Sequence, residues 1–320
     1  MKRLVAVVCL LAAGIAGALA QNFPDRSIKV LVPYPAGGPT DTIARVITQR
    51  LATELGQSII IENQSGAGGR IATKQVAHAA PDGYTLLLGG TNNNAITPAL
   101  YKNLDFDAVK DFAPVATVVT DTLAVVVHPS VPAKTMAELV AYAKANPGKL
   151  SSGGGVGISP HFLLEFVRVK SGANIVYVPY KGAAPALTDV LANQIQMHST
   201  AKSVLLPHIL SGKLRALAVE GDKRWPELPD VPTLTEAGFD GFPPAIWYGF
   251  LAPAGTPQPV IDKLNTAVNK QLKMPETQAA MAKLGLDIKM HSPQEFGAIL
   301  ADEMRLWAAV AQQTGIKLTE

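Results

Sequence analysis

Lys29 to Arg45 reads KVLVPYPAGGPTDTIAR. Val30, Leu31 and Val32 are a buried strand by composition, Pro33 and Pro35 break it, Gly37 and Gly38 supply a turn, and a helix is expected to begin near Asp41. A strand, a small-residue turn and a helix make half of a βα repeat, which folds only against further strands. The turn is also suited to anions. Free N–H groups leave the first helical turn, the helix dipole places partial positive charge there, and glycine lets a ligand approach the main chain. Such a loop holds a carboxylate or phosphate and does not break bonds. Any βα turn in an α/β sheet can carry Gly and Pro, so this stretch alone leaves a purely structural turn equally open.

Ahead of it, Lys2 and Arg3 precede an apolar run, Leu4 to Leu11, and the small-residue end Ala18-Leu19-Ala20. That order predicts a secretory signal peptide over residues 1–20, cleaved before Gln21. The run is short for a membrane anchor. Cys9, the one cysteine, falls inside it, so the mature chain is expected to have no disulfide and no thiol chemistry. Without Lys2 and Arg3, the 28 basic residues become 26 against 25 acidic ones. A near-neutral chain with no basic stripe argues against nucleic acid, and no later apolar run suggests a membrane span.

Ile43, Ile47, Leu51 and Leu55 recur at helical spacing up to Gly56. Strand Ser58 to Glu62, the turn Gly66 to Gly69, helix Ile71 to His78 and strand Tyr84 to Leu88 follow, which predicts a parallel sheet with right-handed crossovers. The Gly66–Gly69 turn lacks the full G-x-G-x-x-G order of a dinucleotide loop. Thr91-Asn92-Asn93-Asn94 stands beyond the third strand. In open α/β sheets ligands gather at the carboxyl ends of strands, so these hydroxyl and amide groups are expected to face the same space as Gly37 and Gly38.

Phe112 to Val119 and Thr122 to His128 read as strands passing from one lobe to the next, and Thr135 with Glu138 forms a capping box for a helix reaching Asn146. The pattern then restarts. Lys149 to Ser152 opens into Gly153-Gly154-Gly155-Val156-Gly157-Ile158-Ser159-Pro160-His161 and a helix from Phe162. Strands Ile175 to Val178, Ile195 to Thr200 and Leu214 to Val219 complete a second lobe, with the small-residue loop Lys181 to Pro185 between the first two. Two lobes, each presenting backbone donors at a helix start, can grip one anion from opposite sides. Lys181 or Lys202 could complement its charge. Trp247 to Ala252 reads as the strand crossing back. A helix from Thr256-Pro257 to Leu272 follows, and Ser292, Pro293 and Glu295 open the last one, whose Phe296, Leu300 and Met304 share a face. With no later strand, these helices are expected to return to the first lobe.

Ser159 and His161 raise a second reading, a secreted α/β hydrolase. No G-x-S-x-G elbow surrounds Ser159, Pro160 occupies the next position, and His161 to Glu165 supplies no H-E-x-x-H pair, so no catalytic residue and no metal site are expected.

With these pieces placed, the chain resembles the substrate-binding receptors of the tripartite tricarboxylate transporters, the Bug receptor family. The resemblance rests on Tyr34 to Arg45 (YPAGGPTDTIAR), Pro81 to Leu86 (PDGYTL), Val178 to Leu187 (VPYKGAAPAL), Leu214 to Val219 (LRALAV), Leu228 to Gly238 (LPDVPTLTEAG) and Trp247 to Thr256 (WYGFLAPAGT). It implies a type II-like periplasmic binding protein: an α/β chain of two lobes, residues 21–121 with 251–320 and residues 122–250, joined by two crossing strands around a ligand cleft. It implies a periplasmic monomer without cofactor or enzymatic activity, which delivers a small organic acid to membrane permease subunits.

The family pattern places Ala36, Gly37, Gly38 and Asp41 in the first binding loop and Thr91, Asn92, Asn93 and Asn94 in the next. Ser152, Gly153, Gly154, Gly155, Ser159 and His161 match the second lobe's glycine-rich loop and helix start; Gly182, Ala183, Ala184 and Pro185 match the loop after it. Asp41 is expected either to cap its helix or to accept a hydrogen bond from a ligand amine or water. Relatives often carry an acid where this chain has Met197-His198-Ser199-Thr200. A neutral wall ending in Thr200 favours a second carboxylate or an aromatic acid over an amino acid.

Overall fold

β1 (Ile28–Val32), β2 (Ile59–Asn63) and β3 (Thr85–Gly90) run parallel with β1 in the middle, linked by α1 (Pro39–Leu55) and α2 (Arg70–Ala77). The computed structural model describes residues 23–101, 103–243 and 245–314, and the expected signal peptide, residues 1–20, lies outside them. Val30, Leu31, Val32, Leu86, Leu87 and Leu88 are all buried, because helices cover both faces of these strands. The sheet is not wholly parallel, however. β4 (Phe112–Asp121), β10 (Ile246–Pro253) and the short β11 (Asp287–Ile288) extend it antiparallel, giving the order β11-β4-β10-β3-β1-β2.

The second sheet has the order β7-β6-β8-β5-β9. β6 (Ser151–Gly155) pairs in parallel with β7 (Val176–Tyr180) and β8 (Met197–Ala201), while β5 (Leu123–Val127) runs antiparallel to β8 and to β9 (Arg215–Val219). Leu123, Val125 and Val127 enter one apolar cluster and Ala124 and Val126 another, so β5 is buried on both faces.

Three helix ends are closed by local hydrogen bonds that the sequence encodes. Gly56, left-handed at φ 66°, closes α1 by donating to the carbonyl of Ala52. At α4 (Met136–Ala145), Glu138 N donates to Thr135 Oγ1 at 3.1 Å and the Glu138 carboxylate accepts from Lys134 N at 2.6 Å. At α10 (Pro293–Thr314), Glu295 N donates to Ser292 Oγ at 3.2 Å and Ser292 N donates back to Glu295 at 2.8 Å. α3 (Thr97–Leu100) follows a π-helical turn over Asn92–Ile96. α5 (Ser159–Ser171), α6 (Ala183–Leu191) and α7 (Lys202–Leu210) belong to the second sheet, and α8 (Gln258–Leu272) packs on β4 and α1. α7, α9 (Pro275–Lys283) and β11 are elements that the sequence reading passes over.

No strand is shared by the two sheets. Thr122 alone separates β4 from β5, and the chain returns through the segment between β9 and β10. The two crossings lie side by side: Leu123 N donates to the Glu220 carboxylate at 2.6 Å, and Ser203 Oγ of α7 donates to Asp121 at 2.5 Å. Among the described residues no helix is long and apolar enough to cross a membrane.

Candidate ligand-binding cleft

The first loop is organised by Asp41. Its carboxylate accepts Gly37 N at 2.9 Å and Arg45 Nε at 2.8 Å, so the third helical residue folds back on the turn ahead of its own helix. Burial raises the proton affinity of Asp41, but the hydrogen bonds from Arg45 and Gly37 outweigh it and hold the carboxyl below its ordinary range. Gly37, at φ +79°, is the point where the turn needs glycine. Asp41 therefore ties the Gly37 turn to Arg45 of its own helix, whose N-cap, Gly38, has no side-chain cap, and it is not among the residues lining the cleft. Asp41→Ala is expected to lower stability by about 1 kcal/mol, the typical net worth of a hydrogen bond, measured as a urea midpoint. Because the folded-state pKa of Asp41 is depressed, its contribution is present above the ordinary carboxylate range and lost as pH falls through it, a loss the variant should not show.

The polar quartet divides. Thr91 Oγ1 accepts Trp247 N at 3.0 Å; Asn93 accepts Gly90 N at 3.1 Å and donates to Thr73 Oγ1 at 3.1 Å and to Asn94 Oδ1 at 2.7 Å. These three side chains are buried and hold the turn together. The π-helical winding turns only Asn92 outward, where its Oδ1 accepts Ser159 N of α5 at 2.8 Å across the two lobes.

The glycine run of the second lobe has a packing cause. A β-carbon at Gly153 would collide with the Tyr180 ring, and one at Gly154 would stand 3.0 Å from the Tyr177 hydroxyl. Two tyrosines thus lie over β6, and Tyr177 donates to Gly155 O at 2.8 Å. Ser152, Gly153, Gly154 and Gly155 are buried beneath them rather than set at the cleft wall. Tyr180 donates to Asp189 at 2.5 Å, and its phenol is pushed up to about 12 by burial and by that carboxylate.

The cleft itself lies between the loops. Gly38, Pro39 and Thr40 at the start of α1 face Ile158 and Pro160 at the start of α5 and Ala183 at the start of α6. Asn92, Thr200 and Ala201 form one wall. Tyr34, Pro35, Leu123, Ile246 and Tyr248 complete it; the sequence does not single out these five as site residues, nor Pro39, Thr40, Ile158, Pro160 and Ala201. Tyr34 and Tyr248 stand in the family-like segments YPAGG and WYGF, where an aromatic beside small residues was the available signal. Ala36 and Gly37 are exposed at the rim, with Gly37 facing the Ala184 methyl. No lining residue is charged. The lobes are closed: the space between them, measured to the centre of a water-sized sphere, is about 20 Å³, enough for about one water molecule.

Neither lysine proposed as a charge partner lines the cleft. Lys181 is exposed, and Lys202 Nζ pairs with Glu227 at 2.8 Å and sits 5.2 Å above the Trp225 ring. Ser159 and His161 do not pair either. Ser159 Oγ is buried without a partner, whereas His161 Nδ1 accepts Gly157 N at 3.1 Å and its ring lies 4.1 Å from that of Tyr177. Burial lowers the His161 pKa, so the ring is neutral and its acceptor is already used. Within the second sheet His198 is likewise neutral, pushed down to about 4 by burial although its Nδ1 is bonded to Gly153 O at 2.7 Å.

Residues 43–316 match the model of the tripartite tricarboxylate transporter family receptors. Among solved structures, periplasmic binding protein BugD is 35% identical with a TM-score of 0.88, covering 92% of this chain and 99% of its own. An R. palustris protein solved with adipate is 34% identical with a TM-score of 0.88, covering 92% and 99%. MatC from Rhodopseudomonas palustris, solved with bound malate, is 34% identical with a TM-score of 0.86, covering 90% and 99%. The fold is that of the two-lobed periplasmic binding proteins. Three helix starts meeting in one interlobe cleft, on a chain matched over most of its length, place this protein in the tripartite tricarboxylate transporter receptor family.

Proposed function

We propose that this chain is a periplasmic receptor, exported with a cleaved leader, that closes residues 21–121 and 251–320 against residues 122–250 on a small organic dicarboxylate. It acts as a monomer, hands the acid unchanged to the permease subunits of a tripartite transporter, and performs no catalysis. The observation that carries the reading is the meeting of the α1, α5 and α6 N-termini in a cleft without a charged side chain. Three positive dipole ends suit carboxylates approached from both lobes, with Ser159 N at α5 already donating to Asn92 and His161 N to Ile158 O, and the neutral lining avoids the desolvation cost of buried lysine or arginine. Thr200 and Asn92 add neutral polar groups, which suit a second carboxylate or an aromatic acid better than an ammonium. That relatives were solved with adipate and malate agrees with this chemistry. Because the space between the lobes holds about one water, the acid enters an open form and the lobes then close on it to a wider separation than in this structure.

Thermal unfolding against aliphatic and aromatic mono-, di- and tricarboxylates, with amino acids as controls, tests the ligand class. A dicarboxylate should raise the midpoint by mass action; a shift with amino acids alone would overturn the assignment. Asn92→Ala removes the bond that ties the lobes together in the closed form. Its affinity for the acid found in that screen should fall by about fivefold, the worth of roughly one hydrogen bond, as read by titration calorimetry.

A further inference from the structure

We propose that Asp121 and Glu220 form a proton-binding site at the hinge: protonated, the pair holds the lobes closed, and its ionisation opens them. Both side chains are buried where the chain passes between the sheets, at 2% and 1% exposure. Asp121 ends β4 in the first sheet, yet its carboxyl accepts Ser203 Oγ at 2.5 Å and Ser203 N at 3.4 Å from α7 of the second. It is thus an interlobe contact, completed by Thr122 N at 2.8 Å. Glu220 follows β9 on the return crossing and accepts Leu123 N at 2.6 Å, leaving its Oε1 buried without a partner.

Among the described residues, the groups around the pair are mostly acids and phenols, and the cation that acts on Asp121, Lys202, is shared with another acid. β10 contributes the Tyr248 phenol, which feels both acids, and the segment after β1 contributes Tyr34 beyond it. α10 contributes a third, partly buried carboxyl, Glu303, which accepts Trp307 Nε1 at 3.1 Å and acts on Glu220 by charge repulsion. Lys202 of α7 is the one cation that acts on Asp121, and it is already paired with Glu227 at 2.8 Å. Burial pushes Asp121 up to about 7, against the lowering effect of its Ser203 and Thr122 bonds; burial and the neighbouring acids push Glu220 well above the carboxylate range. Ionising one member beside another therefore favours solvation of the joint, and solvation is gained by opening it.

The pair is linked to the cleft through two of its lining residues, Leu123, whose N–H donates to Glu220, and Tyr248, whose phenol feels both acids. An anionic ligand there raises the proton affinity of both acids, and by reciprocity the proton raises the affinity for the anion. The site acts through the closure proposed above. Testing it without ligand keeps its outcome separate from whether any acid binds.

The decisive experiment is small-angle scattering of the ligand-free mature protein from about pH 5 to about pH 9, alongside the Asp121→Asn, Glu220→Gln double variant. The radius of gyration of the wild type should increase as pH rises through neutrality, while the variant, which has lost the titratable groups, should stay at the compact value. A wild-type radius that does not change, or an equal change in the variant, overturns the proposal. If the variant does not fold, infrared spectroscopy of the wild type decides: a protonated buried carboxyl band should be present at about pH 6 and decline in step with the expansion. Absence of that band at about pH 6, or its loss without expansion, has the same overturning force.

Discussion

Trp307→Ala should destabilise the protein by about 3–5 kcal/mol, the cost of removing a large aromatic from a filled core. Trp307 is fully buried, and its ring centroid lies 5.8 Å from those of both Phe162 and Phe242 in edge contacts. Phe162 belongs to α5 of the second lobe, so α10 does more than cover the first sheet: it fastens one lobe to the other. The substitution also removes the donor that Glu303 uses at 3.1 Å, leaving a partly buried carboxyl without that bond. Urea unfolding should show an early midpoint, and Trp307→Phe should recover part of the loss because an aromatic ring still meets Phe162 and Phe242. A midpoint unchanged by the alanine variant would mean that α10 does not hold the lobes.

Gly182→Ala acts on function instead. Its β-carbon would stand 2.7 Å from Pro35 Cδ and 3.2 Å from Cγ, both on the facing lobe. Gly182 has φ 167°, an extended backbone that alanine adopts freely, so the clash arises only on closure. Overpacking of this kind costs about 1–3 kcal/mol, which converts to roughly 5- to 150-fold weaker binding of the acid. The denaturation midpoint of the ligand-free variant should fall by much less than the affinity, because opening relieves the clash. Equal affinity in wild type and variant would mean that the bound form does not bring Gly182 and Pro35 together.

The contrast between Gly182 and Gly153 shows what sequence can and cannot convey. Both sit in small-residue runs beside predicted helix starts, and both were read as ligand loops. At Gly182 the missing side chain makes room for the other lobe, whereas at Gly153 it makes room for Tyr180 on the neighbouring strand. Local composition records that a side chain must be absent, and only tertiary packing says on whose account. The Asn quartet fails for a related reason. Strand-end logic placed it correctly, but a π-helical turn decides that Asn92 faces out while Asn93 and Asn94 bond inward.

The capping boxes at Thr135 and Ser292 and the strand-turn-helix unit at β1 follow from a local code of residue type and spacing. At β6 the strand runs Ser151–Gly155 instead of Lys149 to Ser152, so Gly153, Gly154 and Gly155, expected as a loop, pair with β7 as strand residues. The two-residue β11 and the helix α7, with Pro207 inside it and no clear apolar stripe, have little such code and were passed over. The antiparallel placing of β4 and β10 also escapes a local reading, because adjacency in a sheet is fixed by partners more than a hundred residues away.

The claim that most needs testing is that this cleft binds a dicarboxylate and leaves it intact. Titration calorimetry of the ligand-stripped protein with the dicarboxylate giving the largest thermal shift addresses both halves in one trace. The account predicts a saturable isotherm with one acid per chain and no heat beyond saturation. Continued heat after saturation would expose turnover, and the absence of a saturable isotherm with any dicarboxylate would contradict the receptor reading.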